Sequence, residues 1–170
     1  FAKEKIDAVV NSLDKKDATV VAIDRKPKKT FSPGLYDLTE LQRDANKIFG
    51  YSAKETLNIM QKLYESHKVL TYPRTDSRYI SNDIVPTLPE RLKACGVGEF
   101  RPLANKILKK PIKANKSFVD DARVSDHHAI IPTEEYVNFS AFSDKERKIY
   151  DLVVKRFLAV LFPAHEYEQL

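Results

Sequence analysis

Tyr72-Pro73-Arg74-Thr75-Asp76-Ser77 sets a phenol, a guanidinium and three small oxygen-bearing side chains in one short stretch, within "VLTYPRTDSRYIS" (Val69–Ser81). A free tyrosine has a pKa of about 10 and is a poor nucleophile at neutral pH unless its anion is stabilised. In an extended segment, residues i and i+2 point to the same side, and Pro73 fixes one backbone dihedral between Tyr72 and Arg74. That spacing lets the phenol and the guanidinium address one target group. A phosphate suits the pair: the arginine fork binds two of its oxygens while the phenol oxygen attacks phosphorus. Arg74 also offsets negative charge in the transition state, and Thr75, Asp76 and Ser77 are placed to orient Arg74 or bind neighbouring phosphates. A bare Tyr-x-Arg is equally the signature of a packed tyrosine and a solvated arginine after an X-Pro turn.

A second stretch, "SDHHAIIPT" (Ser125–Thr133), brings His127 and His128 beside Asp126. Adjacent side chains diverge in either regular structure, so the two imidazoles do not readily chelate one ion. A protonated histidine near a phosphate, assisting binding or proton transfer, is the better chemical use. Asp120-Asp121 reads as a magnesium pair or as two solvated carboxylates. The lysines at 106, 109, 110, 113 and 116 read as a backbone-phosphate contact or as a solvated face. Tyr79 and Phe118 either stack on bases or pack. No phosphate-cradling glycine motif occurs, so nothing points to an NTP or a dinucleotide.

These residues sit in a chain of 170 residues, 42% hydrophobic, with formal charge +5 and pI about 9.1. That is enough to bury a core and suits a polyanionic partner. Cys95 is the single cysteine, which excludes an internal disulfide and a Cys-based zinc site and suits a reducing, intracellular setting. No secretory leader is visible, and "LVVKRFLAVLF" (Leu152–Phe162) is too short and too charged to span a bilayer. The first residue is Phe1 rather than methionine and "HEYEQL" stops inside an element, so a fragment of a longer chain is expected.

The elements are legible in outline. Phe1–Lys15 reads as a helix with Phe1, Ile6, Val9, Val10 and Leu13 on one side. Ala18–Asp24 reads as a strand, and Arg25–Gly34 as a basic connector. Thr39 with Gln42 fits a capping box for the helix that follows, with Gly50 at its end, and Ser52 with Glu55 caps the next. The short "GYS" joint makes the pair a helix-turn-helix or an ordinary helical hairpin. Thr87 with Glu90 caps "LPERLKACG", and a short helix covers Arg101–Leu108. Lys109–Tyr136 is aperiodic and reads as a long, partly ordered loop. Ser143 with Glu146 opens the last helix, which Pro163 ends.

Taken together, "LTYPRTDSRYIS" resembles the active-site tyrosine motif of type IA DNA topoisomerases. "DHHAIIPT" resembles their second motif in the form of topoisomerase III-like members, and "LYDLTELQRDANKIFGYSAKETL" resembles the helical lead-in before the tyrosine. His128 stands where topoisomerase I-like members have glutamate, and Ile131 where they have arginine.

The resemblance implies a mainly α fold with a few short strands (α+β). A helical tyrosine-bearing domain over residues 30–156 carries the helix-turn-helix-like element. It is flanked by two pieces of a gate or hinge domain, 1–29 and 157–170, whose strands, Ala18–Asp24 and one near His165–Leu170, lie side by side. It implies that Tyr72 attacks single-stranded DNA to form a 5′-phosphotyrosine, that Arg74 holds the scissile phosphate, and that His127 contacts DNA. Thr75, Asp76, Ser77 and His128 are the remaining candidate DNA contacts. It places Mg2+ in an N-terminal domain outside this chain, which itself has no metal ligands, and it needs no NTP and no membrane. The setting expected is cytoplasmic, at the nucleoid if bacterial. Two other readings use the same residues. A tyrosine recombinase needs a His-x-x-Arg before its tyrosine, whereas both motif histidines follow Tyr72 and have Ile130 and Ile131 three residues on. A non-catalytic helix-turn-helix DNA-binding module is the alternative from another class.

Overall fold

The computed structural model describes residues 2–13, 17 and 19–170. The chain divides into two compact units, Phe1–Thr30 with His165–Leu170, and Phe31–Ala164. Among the described residues the fold is mainly helical with one two-stranded sheet.

In the smaller unit, helix α1 covers Lys3–Leu13 and exposes Ile6, Val9, Val10 and Leu13. Phe1 and Lys15, the ends expected for this helix, lie outside the described residues. Strand β1 is Lys26–Thr30, antiparallel to β2, His165–Gln169. The strand expected over Ala18–Asp24 is not there: residues 19–24 have no regular structure, and Ala18 lies outside the described residues. The connector expected over Arg25–Gly34 supplies the strand instead. Pairing overrides β-propensity here. Lys29 lies opposite Glu166 and bonds it at 2.6 Å, and Arg25 reaches Glu168 at 3.5 Å. Cross-strand charge pairs of this kind select partners that a run of valines lacks. Pro27 is tolerated because a two-stranded ribbon has only edge strands.

In the larger unit, α2 (Leu38–Phe49) begins earlier than the Thr39–Gln42 box suggests. Asp37 is its N-cap, accepting from the Glu40 N–H at 2.7 Å. Gly50 ends it at φ 72°, the left-handed conformation that glycine adopts at no steric cost. Ser52 caps α3 (Ala53–Glu65) as expected, accepting from the Glu55 N–H. Thr87 does not cap α4 (Leu88–Cys95). A 3-10 turn over Asn82–Thr87 runs straight into that helix, so Thr87 already has helical dihedrals. Its hydroxyl donates to the Ile84 carbonyl instead, at 2.8 Å. Pro89 sits in the first turn of α4, and α5 covers Arg101–Leu108.

Helix α6 (Asp144–Leu161) opens on a complete Ser143–Glu146 capping box and packs against α3 and α2. It continues unbroken through 156 and 157, so the piece expected to begin at 157 starts inside a helix. Arg156 ties α6 to the entrance of α2: it donates to Asp44 at 2.7 Å, to the Tyr36 hydroxyl at 3.0 Å and to the Gly34 carbonyl at 3.1 Å. The core lies between these helices and includes Leu41, Met60, Leu63, Leu92, Tyr150 and Phe157.

Candidate active site

The two motifs are far apart in sequence, and backbone hydrogen bonds zip them together. Leu70 bridges Pro132 in antiparallel sense. On either side, the Thr71 N–H donates to the Ile131 carbonyl at 3.0 Å and the Thr133 N–H to the Val69 carbonyl at 3.1 Å. The Thr71 hydroxyl donates to the Ala129 carbonyl (3.2 Å) and accepts from the Ile131 N–H (3.0 Å). The second motif is also held from its other edge, where Ala129 N–H donates to the Tyr79 carbonyl and Ile130 N–H to the Tyr36 carbonyl. Leu70, Ala129, Ile130 and Ile131 are buried, so apolar packing and paired backbone fix the same geometry. Consecutive residues of both segments are buried, Val69 with Leu70 and Ala129 with Ile130 and Ile131, and Tyr72 follows the zipper as a half-buried residue.

Tyr72 is half-buried. Its ring meets the His127 imidazole at 4.2 Å between centroids, tilted 37°, and meets the edge of Tyr64 from α3 at 5.5 Å and 81°. Pro73 is buried, while Arg74 and Asp76 are exposed. Among the described residues, neither Arg74 nor Asp76 makes a side-chain hydrogen bond or an ion pair. Their charged ends are free for a ligand. Thr75 and Ser77 face inward instead. The Thr75 hydroxyl donates to the His127 carbonyl at 3.0 Å and accepts from the Ser77 N–H at 3.1 Å. The Ser77 hydroxyl bonds the Arg123 carbonyl at 2.7 Å and accepts from the Tyr79 N–H. These two hydroxyls therefore hold the turn and the histidine backbone in place.

His127 is exposed, and His128 is half-buried with Nδ1 donating to the Ala129 carbonyl at 2.8 Å. Burial pushes the His128 pKa down, and the nearby Arg91 and His127 add to the effect. His128 is thus held neutral, and the exposed His127 is the one placed to meet an anion. A cleft of about 310 Å³ opens beside them, lined by Tyr72, Thr71, Ser81, Asp83, Asp126, His127 and His128 among others.

Two residues outside the motifs position them. Arg91, buried on α4, donates to the Pro132 carbonyl at 2.9 Å and to Thr87 Oγ1 at 2.8 Å, and pairs with Glu134 at 2.9 Å. The signal was present: Leu88, Arg91, Leu92 and Cys95 fall at the spacing of a buried stripe, so a cation occupies a core position. Tyr64 reads as part of the apolar stripe of α3, yet it is partly exposed against Tyr72.

The remaining candidates separate cleanly. Asp121 accepts from both the backbone and the side-chain amide of Asn82, and Asp120 caps the Ala122 N–H. That carboxylate pair is spent within the loop. Tyr79 accepts from Arg123 and stacks beneath its guanidinium, and Phe118 is buried. Burial pushes the Cys95 thiol up to about 12, which keeps it protonated and inert.

A family model described as DNA topoisomerase matches residues 1–170. The chain is 85% identical over all 170 residues to a DNA topoisomerase 3 of Bacillus thuringiensis (strain Al Hakam), and covers 23% of that relative's length. It is 57% identical over 169 residues to the DNA topoisomerase 3 of Bacillus subtilis (strain 168), again covering 23% of it. Among solved structures, full-length topoisomerase I from Thermotoga maritima superposes with a TM-score of 0.65 at 26% identity, over 99% of this chain and 26% of that one. The chain therefore spans about a quarter of the length of the curated relatives it matches.

Proposed function

This chain belongs to the DNA topoisomerase family, and from that premise we propose that it is the tyrosine-bearing part of a type IA DNA topoisomerase of the topoisomerase III kind. The Tyr72 phenol oxygen attacks a phosphodiester of single-stranded DNA. A bond forms between that oxygen and phosphorus, the bond from phosphorus to the 3′ oxygen breaks, and the phenolic proton is transferred so that the departing strand leaves as a free 3′-hydroxyl. The result is a 5′-phosphotyrosine. After strand passage the 3′-hydroxyl attacks phosphorus in turn and restores the backbone. One phosphate ester is exchanged for another of similar energy, so the reaction needs no NTP.

The supporting observation is the seating of Tyr72 at a cleft, its ring in tilted contact with an exposed His127, two residues before an exposed and unengaged Arg74. Arg74 holds the scissile phosphate and offsets the charge that builds on it. His127 adds a ring nitrogen at the same edge, and Thr75, Ser77 and His128 hold the backbone on which the others stand.

This reading assigns magnesium to another segment of the complete protein. Among the described residues there is no group of three or more histidine, cysteine, aspartate or glutamate side chains able to hold a metal ion. No step above passes through the metal. Among the described residues, no helix is long and apolar enough to cross a membrane.

The complete protein, mixed with magnesium and a 3′-labelled single strand, forms a denaturant-resistant adduct that Tyr72→Phe abolishes. The 170-residue chain alone forms none. An adduct of equal yield in Tyr72→Phe sinks the assignment, and the DNA-binding module without catalysis then becomes the better reading.

A further inference from the structure

The lysine run is left unused by the chemistry at Tyr72, and it borders a cavity of its own. A groove of about 640 Å³, roughly twice the volume of the Tyr72 cleft, lies between the end of α5 and the end of α6. Its rim carries Lys106, Lys109, Lys110 and Lys113, and its apolar lining includes Ile112 and Phe162.

Three observations distinguish it from an ordinary solvated face. First, residues 101–119 contain six cations and not one carboxylate, and residues 157–164 carry no charge at all. Second, among the described residues none of these lysines forms an ion pair, whereas Lys26, Lys29, Lys93 and Lys145 do. The net positive charge of the chain is thus concentrated here, unneutralised, above an apolar floor. Third, the groove adjoins the catalytic cleft. Phe118 lines the groove, and its carbonyl accepts from the Ile80 N–H at 2.8 Å. The next residue, Ser81, lines the Tyr72 cleft.

We propose that this groove is a second binding site for single-stranded DNA, in which phosphates lie on the lysine rim and bases on the apolar floor. Phosphate charge and exposed base faces occur together in a single strand, whereas a duplex hides its bases and an acidic peptide lacks them. The proposal rests on the DNA reading of the Tyr72 site and extends the strand's path from that cleft past the Ile80–Val119 bridge.

The test is a salt series of binding to a labelled single strand by the 170-residue chain, in which the groove is complete. The variants are Lys109→Gln/Lys110→Gln/Lys113→Gln and a control triple with the same charge change (Lys3→Gln/Lys5→Gln/Lys28→Gln). Each phosphate contact on a single strand contributes about 0.7 to the slope of log affinity against log salt. The groove triple is therefore expected to flatten the slope by about 2, and the control triple to leave it unchanged. Wild type is also expected to favour the single strand over a duplex, with the preference reduced in the groove triple. An unchanged slope in the groove triple overturns the proposal. So does an equal fall in both triples, which means net charge alone, and so does an absence of binding by wild type at low salt. Covalent adduct formation by the complete protein is read separately, so failure of the Tyr72 chemistry and failure of the groove are told apart.

Discussion

The rings of Tyr72 and His127 lie 4.2 Å apart although a long stretch of chain separates them. That contact joins the two motifs, and the backbone zipper beneath it leaves the phenol little room to swing. Tyr64 closes the other side with its edge. The proposed nucleophile is thus held by ring contacts.

Tyr64→Ala removes the edge contact and is expected to slow adduct formation by the complete protein about 2- to 10-fold, as for the loss of an aromatic pair of roughly 0.5–1.5 kcal/mol. Tyr64→Phe keeps the edge and is expected to react at the wild-type rate. Single-turnover cleavage at saturating DNA measures this. Equal slowing in both variants means that the Tyr64 hydroxyl, and not its ring edge, is what matters.

Thr75→Val keeps the shape of a nearly buried residue and deletes the hydroxyl that holds the His127 carbonyl and the Ser77 N–H. The buried Ser77 N–H and the partly buried His127 carbonyl lose their partner, at a cost of about 1–3 kcal/mol. A lowered urea midpoint in Thr75→Val, restored in Thr75→Ser, is the expected result. A Thr75→Val midpoint equal to wild type contradicts the strut.

Acid should loosen α6 at its start. Burial alone raises the Glu146 carboxyl, but hydrogen bonds from the Ser143 backbone N–H and hydroxyl outweigh it, with His67 at 3.7 Å adding to them. The folded pKa lies below the ordinary glutamate value of about 4.3. A depressed carboxylate contributes stability that is present above the unfolded pKa and lost as pH falls through the folded one. Unfolding measured from pH 6 down to pH 3 should therefore show a fall below about pH 4 that is smaller in Glu146→Gln, because glutamine serves the same capping box without titrating.

How far the sequence discloses this arrangement depends on the range of the force involved. The Ser143–Glu146 box, the Ser52 cap and Gly50 were legible because caps are local chemistry. Asp37 and Thr87 show the limit of the same rule. A capping residue two positions earlier starts α2, and a preceding 3-10 turn removes the need for a cap at α4. The valine-rich stretch before Asp24 reads as a strand and is not one, because a strand is made by its partner and β2 finds its charge complements in Lys26–Thr30. At the site, the residue types announced phosphate chemistry at Tyr72 and Arg74. Only the folded chain shows that Thr75 and Ser77 point inward and that Tyr64 and Arg91 serve the motifs from outside them.

Arg91 gives the clearest separation of positioning from chemistry. Its guanidinium is buried and has three partners, of which the Pro132 carbonyl belongs to the residue bridged to Leu70. Arg91→Met fills similar space without the fork, leaving that carbonyl without its donor while Glu134 remains partly exposed to water. The expected loss of stability is about 1–3 kcal/mol, the cost of an orphaned buried acceptor. A general loss of stability would speed hydrogen exchange everywhere that opens with global unfolding. A positioning role predicts more: exchange at the Thr71, Ile131 and Thr133 amides, which close the zipper, should accelerate beyond that at the core of α6. Adduct formation should fall with it, while DNA affinity, which the proposals above assign to Arg74 and the lysines, holds. Uniform acceleration across the larger unit means that Arg91 only adds stability and does not position the second motif.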